Sequence, residues 1–166
     1  MNPIAAAAVT LVTVVLMEVG AYLLHRYVMH GWGWGWHRSH HEERHGWFEL
    51  NDLFGVLFAV LSVALFAWGI WVPVLTWIAT GMTLYGILYF VFHDGLVHQR
   101  WPFRHVPRRG YAKRLYQAHR LHHAVHERDG AVSFGFLYAK PVDQLAEDLN
   151  RSRKAVRKDT PDQPSA

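Results

Sequence analysis

Two stretches of this chain carry almost no charge. From Leu53 to Phe92 there is no Asp, Glu, Lys, Arg or His, and as one helix that stretch would measure roughly 60 Å, twice a hydrocarbon core of about 30 Å. It therefore predicts two membrane crossings. The break falls at Gly69 to Pro73, where proline stops a helix and Trp68, Trp71 and Trp77 cluster as interfacial aromatics do. A first span runs from about Pro3 to Leu24, with Glu18 its only charge. The pattern predicts an all-α integral membrane protein of about three transmembrane helices.

Polar residues gather at the ends of these spans. "HRYVMH" (25–30) closes the first, and "GWGWGW" (31–36) predicts a flexible turn with interfacial tryptophans before "HRSHH" (37–41). "FELND" leads into the second span with Asn51 or Asp52 as the helix N-cap. "HDGLVH" (93–98) closes the third, "WPFRHVPRRG" reads as a loop, and Tyr111 to His126, containing "HRLHH" (119–123), reads as a helix. Residues 1–140 thus form one membrane-embedded domain with a histidine-rich helical cap. Residues 141–158 predict a weakly amphipathic basic helix with Val142, Leu145, Leu149 and Val156 on one side, suited to a membrane surface or, equally, to solvent. Residues 159–166, "DTPDQPSA", predict a disordered tail.

Charge sets the expected orientation. All 17 Lys and Arg lie within 26–44 or 100–158, so the positive-inside rule predicts an N-terminus outside and histidine words and C-terminus in the cytoplasm. No Lys or Arg precedes Arg26, so the first span lacks the basic start of a cleaved signal peptide. The pI near 9.6 follows from this topology and from anionic lipid, and no nucleic-acid motif competes for it. Absence of cysteine excludes disulfides, thiolate metal sites and a cysteine nucleophile.

The order H-x4-H then H-x2-H-H occurs twice, the second time some distance along the chain. On a helix, residues i, i+3 and i+4 share a face, so each H-x2-H-H word presents three imidazoles and two words make a surface of six. An i, i+5 pair sits about 140° apart on an α-helix. Its members either serve different metals or require the helix to unwind. Neutral imidazole suits iron, copper, zinc or nickel, which leaves the metal open. Asp94 could hold the free ring N–H of His93, and Glu18, ionisable inside the bilayer, is a functional candidate by position. "HEERH" (41–45) matches the zinc-protease pattern H-E-x-x-H, but it is polar, ends at Gly46 and leaves the other words unexplained. The same stretch offers one E-x-x-H, where carboxylate-bridged di-iron bundles need two. A metal transporter or chaperone would place its ligands along a transmembrane path.

The four words, with "FELNDLFGVLFA", "YFVFHDGLVHQRWPFRHVPRRGY", "KRLYQAHRLHHAV" and "SFGFLYA", resemble bacterial beta-carotene hydroxylases of the fatty acid hydroxylase and sterol desaturase superfamily, from about His25 to Ala139. The resemblance implies 3-hydroxylation of β-ionone rings, from β-carotene through β-cryptoxanthin to zeaxanthin, in the bacterial inner membrane. It implies a non-haem centre of two Fe ions, with zinc able to replace them after overexpression, molecular oxygen, and electrons from a ferredoxin or similar donor. The ligands it implies are His25, His30, His37, His40, His41, His93, His98, His119, His122 and His123. His45, His105 and His126 match no histidine word of that family. An unactivated ring C–H gives up no proton to a side chain, so a redox metal suits the reaction. A carotenoid dissolved in the bilayer could thread one ring to the cytoplasmic end of the helices while the donor docks on Arg108, Arg109, Lys113 and Arg114. Those cations serve the positive-inside rule equally well. A fatty acyl or sterol hydroxylase or desaturase is the alternative substrate reading, because the histidine words do not encode the substrate.

Overall fold

A computed structural model describes residues 1–102 and 104–159. Among them the chain is all helical, with no strand. The helices are α1 (Pro3–Leu23), α2 (Trp34–His41), α3 (Asp52–Trp68), α4 (Pro73–Tyr89), α5 (Gly110–His122) and α6 (Val142–Asp159). Two π-helical segments extend the first and third long helices, Leu24–Trp32 after α1 and Phe90–Val97 after α4.

Pro3–Trp32 and Pro73–Val97 are long and apolar enough to cross a membrane. Apart from Ala6 and Thr13, little of α1 is buried, and Leu11, Val15, Leu16 and Val19 point outward, the reverse of a core helix in a water-soluble protein. The expected break at Gly69–Pro73 falls between α3 and α4, with Trp68, Ile70 and Trp71 exposed around it. α3 is apolar but has 17 residues, about 25 Å at the α-helical rise.

Small residues set the helix packing. A Cβ on Gly81 of α4 would come within 2.7 Å of the Thr10 carbonyl oxygen and 2.6 Å of Thr13 Cβ on α1, so α1 and α4 touch backbone to backbone as small-residue membrane interfaces allow. Thr10 Oγ1 donates to the Trp77 carbonyl at 3.3 Å, and Ser62 Oγ of α3 lies 2.9 Å from Thr83 Oγ1 of α4.

Three sequence expectations change. The glycine-tryptophan run is not a flexible turn throughout: the chain bends at Gly31 to Gly33, and α2 begins at Trp34. α5 stops at His122, short of His126. The apolar side of α6 is covered by protein, with Leu145 and Leu149 buried against Leu115, Ala118, Val132 and Ala139. Asp159 is the last residue of α6, and the rest of the tail expected to be disordered, 160–166, lies outside the described residues.

Candidate metal centre

The C-terminal ends of α1 and α4, the start of α3, and α2 and α5 converge at one end of the long helices. Ten histidines meet there, and the structure sorts them into two adjoining groups. The first holds His25, His30, His37, His41 and His122, and the second holds His40, His93, His98 and His119, with His123 joined to it through His119. In the first group Nε2 atoms face one another at 3.0 Å (His25–His37), 3.1 Å (His30–His122) and 3.2 Å (His41–His37 and His122–His41). In the second the spacings are 3.1 Å (His40–His93) and 2.9 Å (His98–His119 and His123–His119). The groups touch where the His41 and His123 rings stack at 4.5 Å.

Each H-x4-H pair stays within one group, because the backbone around it is π-helical. Hydrogen bonds from i to i+5 bring residues five apart onto one face, as in His98 N to the His93 carbonyl at 2.9 Å and Gly33 N to the Val28 carbonyl at 2.8 Å. Of the two outcomes open from sequence, the helix unwinds. The H-x2-H-H words are what divide: His37 and His41 join the first group and His40 the second, while His122 joins the first and His119 and His123 the second.

The other ring nitrogen of seven of these histidines has a fixed partner. Nδ1 donates to the carbonyls of Phe134 (His25, 2.9 Å), Arg128 (His30, 2.7 Å), Val125 (His41, 2.8 Å) and Val132 (His122, 2.9 Å). It donates to Asn51 Oδ1 from His37 at 2.7 Å, to Glu49 Oε2 from His40 at 2.9 Å and to Asp94 Oδ1 from His93 at 2.7 Å. A carbonyl oxygen only accepts, so the proton sits on Nδ1 and Nε2 presents a lone pair. Lone pairs facing at about 3 Å repel unless a proton or a cation lies between them. Burial opposes the proton: it lowers the pKa of His37 to about 3, of His41 to about 4 and of His123 to about 2, and holds His40, His98, His119 and His122 well below their usual value. A cation fits instead. Nitrogens about 2.1 Å from one ion and at right angles around it stand about 3.0 Å apart, which is the spacing found.

Aromatic rings close the centre. Phe136 stacks on His25 at 5.2 Å, Tyr89 stacks on His93 at 4.3 Å, and Trp34 packs against His30 and His41. A cavity of about 10 Å³, lined by Phe92, Val97, Leu115, Ala118 and Phe136, reaches His93 and His119 of the second group.

Glu18 takes no part in the imidazole contacts. Its Oε1 accepts from the backbone N–H groups of Phe136 (3.0 Å), Leu137 (3.1 Å) and Tyr138 (2.9 Å), and its Oε2 accepts from the Tyr85 hydroxyl at 2.8 Å. It staples the loop that carries Phe134 and Phe136. Asn51, expected as an N-cap, makes no capping bond and serves His37 instead. Glu49 was not anticipated from sequence, nor were the four carbonyl acceptors. A glutamate and an asparagine packed beside an apolar helix start in "FELND" were the available signal, and both are buried. His45, His105 and His126 are exposed and outside both groups. The "HEERH" match fails as a helical motif: α2 ends at His41, and Glu42 is exposed and paired with Arg38 at 2.6 Å.

A family model described as fatty acid hydroxylase matches residues 10–147. The chain is 64% identical over 146 residues to a protein named beta-carotene hydroxylase from Paracoccus sp. (strain N81106 / MBIC 01143), covering 87% of this chain and 90% of that one. It is 60% identical over 154 residues to the protein of the same name from Pantoea ananas, covering 91% and 86%. A chloroplastic beta-carotene 3-hydroxylase from Gentiana lutea is 36% identical over 150 residues, covering 83% of this chain and 46% of its own length. No solved structure matches.

Proposed function

The chain belongs to the fatty acid hydroxylase family, and from that premise we propose that it is a membrane enzyme that hydroxylates C3 of the β-ionone rings of β-carotene, giving β-cryptoxanthin and then zeaxanthin. The observation that carries the chemistry is the pair of imidazole groups in each of which Nε2 atoms converge at 2.9–3.2 Å. The name shared by the Paracoccus and Pantoea relatives supports the substrate.

His25, His30, His37, His41 and His122 would hold one iron, and His40, His93, His98, His119 and His123 the other, with zinc able to replace either after overexpression. The bound irons would supply the reduction of molecular oxygen that the oxidation of an unactivated C–H requires. Per ring, one O2, two electrons and two protons give one hydroxyl and one water, so an external donor of the ferredoxin type is needed. The protein's part is to orient. Each Nδ1 acceptor locks its ring in the tautomer that aims Nε2 inward, and Phe134, Phe136, Tyr89 and Trp34 keep bulk water out. The apolar cavity beside His93 and His119 has room for about one water molecule, so a ring entering from the bilayer must displace Phe92 or Phe136.

The reading places three spans in the bacterial inner membrane, α3 being the shortest, with the N-terminus outside and the histidines and C-terminus in the cytoplasm. The exposed Arg108, Arg109 and Lys113 then face the donor, whereas the Arg114 guanidinium is taken up by the Lys140 carbonyl at 3.0 Å and the Ala139 carbonyl. Expression in cells that accumulate β-carotene tests the function. Zeaxanthin with β-cryptoxanthin as intermediate is expected. Unchanged β-carotene with iron, oxygen and reductant present overturns it, and newly hydroxylated acyl chains would point to a fatty acyl substrate.

A further inference from the structure

The two imidazole groups have different surroundings. Every Nδ1 partner found in the first group is uncharged: the carbonyls of Phe134, Arg128, Val125 and Val132 and the amide of Asn51. In the second group His40 and His93 donate to carboxylates, Glu49 and Asp94. These pairs are dry, with side-chain exposures of 2% for both histidines, 8% for Glu49 and 13% for Asp94.

A third carboxylate and one cation complete the arrangement. Arg100 binds Asp52 through both amino groups, Nη1 to Oδ1 at 2.8 Å and Nη2 to Oδ2 at 2.7 Å. Its Nη1 also lies 3.5 Å from Asp94 Oδ2, and its Nη2 donates to the Trp47 carbonyl at 2.8 Å. Asp52 Oδ2 in turn accepts the Glu49 backbone N–H at 3.0 Å. Arg100 thus contacts two of the three carboxylates, Asp52 and Asp94, while Glu49 feels Arg100 and the exposed Arg44 only through space; three carboxylates against two cations leave an excess of negative charge behind His40 and His93. Among the described residues no carboxylate accepts from the ring nitrogens fixed in the first group, and Asp129, which acts on His30 through space, is exposed and paired with Arg128 at 3.1 Å.

We propose that Glu49 and Asp94, held by Arg100 and Asp52, are positioning residues that make the second group the stronger electron donor and the tighter of two unequal metal positions. The inference rests on reading the groups as a two-metal centre. A carboxylate that accepts the N–H of an imidazole makes its far nitrogen more basic, and negative charge near a low-dielectric site favours a cation there. Asn51 orients His37 without adding charge, so it serves the first position by geometry alone.

The test is anaerobic titration of the metal-free, full-length protein in detergent with ferrous ion against a chromophoric chelator, followed by Mössbauer spectra of the 57Fe-loaded protein. The parent is expected to bind two ions in unequal steps. Glu49→Gln and Asp94→Asn should each weaken the tighter step by about 10- to 100-fold, leave the weaker step unchanged, and shift one of the two iron signals. Asn51→Ala should weaken the other step and shift the other signal. Equal weakening of both steps by Glu49→Gln and Asp94→Asn, or loss of the same step in Asn51→Ala, overturns the inference while leaving the two-metal reading intact. A parent that binds no iron, or one iron at saturation, overturns both. Should one carboxylate variant fail to fold, the other decides, because each acts on a different histidine of the same group.

Discussion

Replacing Glu18 with alanine should loosen the candidate metal centre although Glu18 contacts no histidine in it. The carboxylate satisfies the backbone N–H groups of Phe136, Leu137 and Tyr138 and the hydroxyl of Tyr85. Gly135 permits the approach, since a Cβ there would lie 2.8 Å from Glu18 Oε1. Each partly buried donor stripped of its acceptor costs about 1–3 kcal/mol. The Tyr138 N–H is exposed and can turn to water, and the three partly buried donors sum to roughly 3–9 kcal/mol if nothing relaxes, comparable to the whole stability of a small domain at about 5–15 kcal/mol. The cheaper response is for the loop to leave the helix. His25 then loses the Phe134 carbonyl that fixes its tautomer and the Phe136 ring stacked on it.

Glu18→Gln separates this account from a simple loss of charge. Its side-chain carbonyl still accepts from the backbone N–H groups, and its amide can donate to the Tyr85 oxygen, so the loss should be about 1–2 kcal/mol. The assays are thermal unfolding in detergent and hydrogen exchange at residues 136–138, with iron content measured in parallel. Glu18→Ala should lose protection at those three amides, melt well below the parent and retain less iron, with Glu18→Gln between. Parental melting and undiminished protection in Glu18→Ala would refute the reasoning.

Other perturbations separate the proposed centre from its alternatives. His40→Ala and His122→Ala, one in each group, should each lower turnover by orders of magnitude while the double variant is little worse, because residues of one catalytic unit are strongly non-additive; additive losses in pigment-conversion rates would mean independent sites. Glu42→Gln should leave hydroxylation near the parental rate, whereas His119→Ala should abolish it; the opposite pattern would restore the protease reading of "HEERH". Acid should unfold the metal-free protein early: the folded pKa values of His37 (about 3) and His41 (about 4) lie below the unfolded value of about 6.5, so the unfolded chain binds more protons between those limits. Their contribution is then complete above pH 6.5 and is lost as pH falls toward 4, by a few kcal/mol per group, and a melting temperature flat from pH 7.5 to 5 would contradict this.

Much of this architecture is legible in residue order. The uncharged run from Leu53 to Phe92 with its Pro73 break marks α3 and α4 because membrane helices are written in composition. The ten histidines are legible because their spacing repeats. What surrounds them is harder to read, since four Nδ1 partners are backbone carbonyls at positions 125, 128, 132 and 134, and any residue type can offer a carbonyl. Asn51 reads as a helix cap because caps and imidazole acceptors use the same side-chain oxygen, and only the fold chooses between those uses. Likewise the apolar positions of α6 show that a face exists, while only the position of α5 shows what covers it.

The π-helical segments mark where local pattern and tertiary demand diverge. Five-residue spacing is wrong for one face of an α-helix, so on sequence alone H-x4-H leaves two outcomes, ligands sent to different metals or a helix that unwinds. A π-turn is a locally unfavourable way to bring them together. Here it occurs twice, at the two places where a long apolar helix ends in an H-x4-H word. The repetition argues that the cost is offset at the site: α-helical winding in either segment would swing one histidine about 140° from its partner and so cost its group a ring, with the Nε2 contact of His25, His30, His93 or His98 and, for the first three, the Nδ1 partner as well. The same unwinding explains why the H-x2-H-H words must divide. Once each H-x4-H pair commits both rings to one group, the words on α2 and α5 lie between the two groups and supply both, His37 and His41 against His40, and His122 against His119 and His123. The repeated word is therefore the bridge between the two positions, and each π-helix is the anchor of one of them.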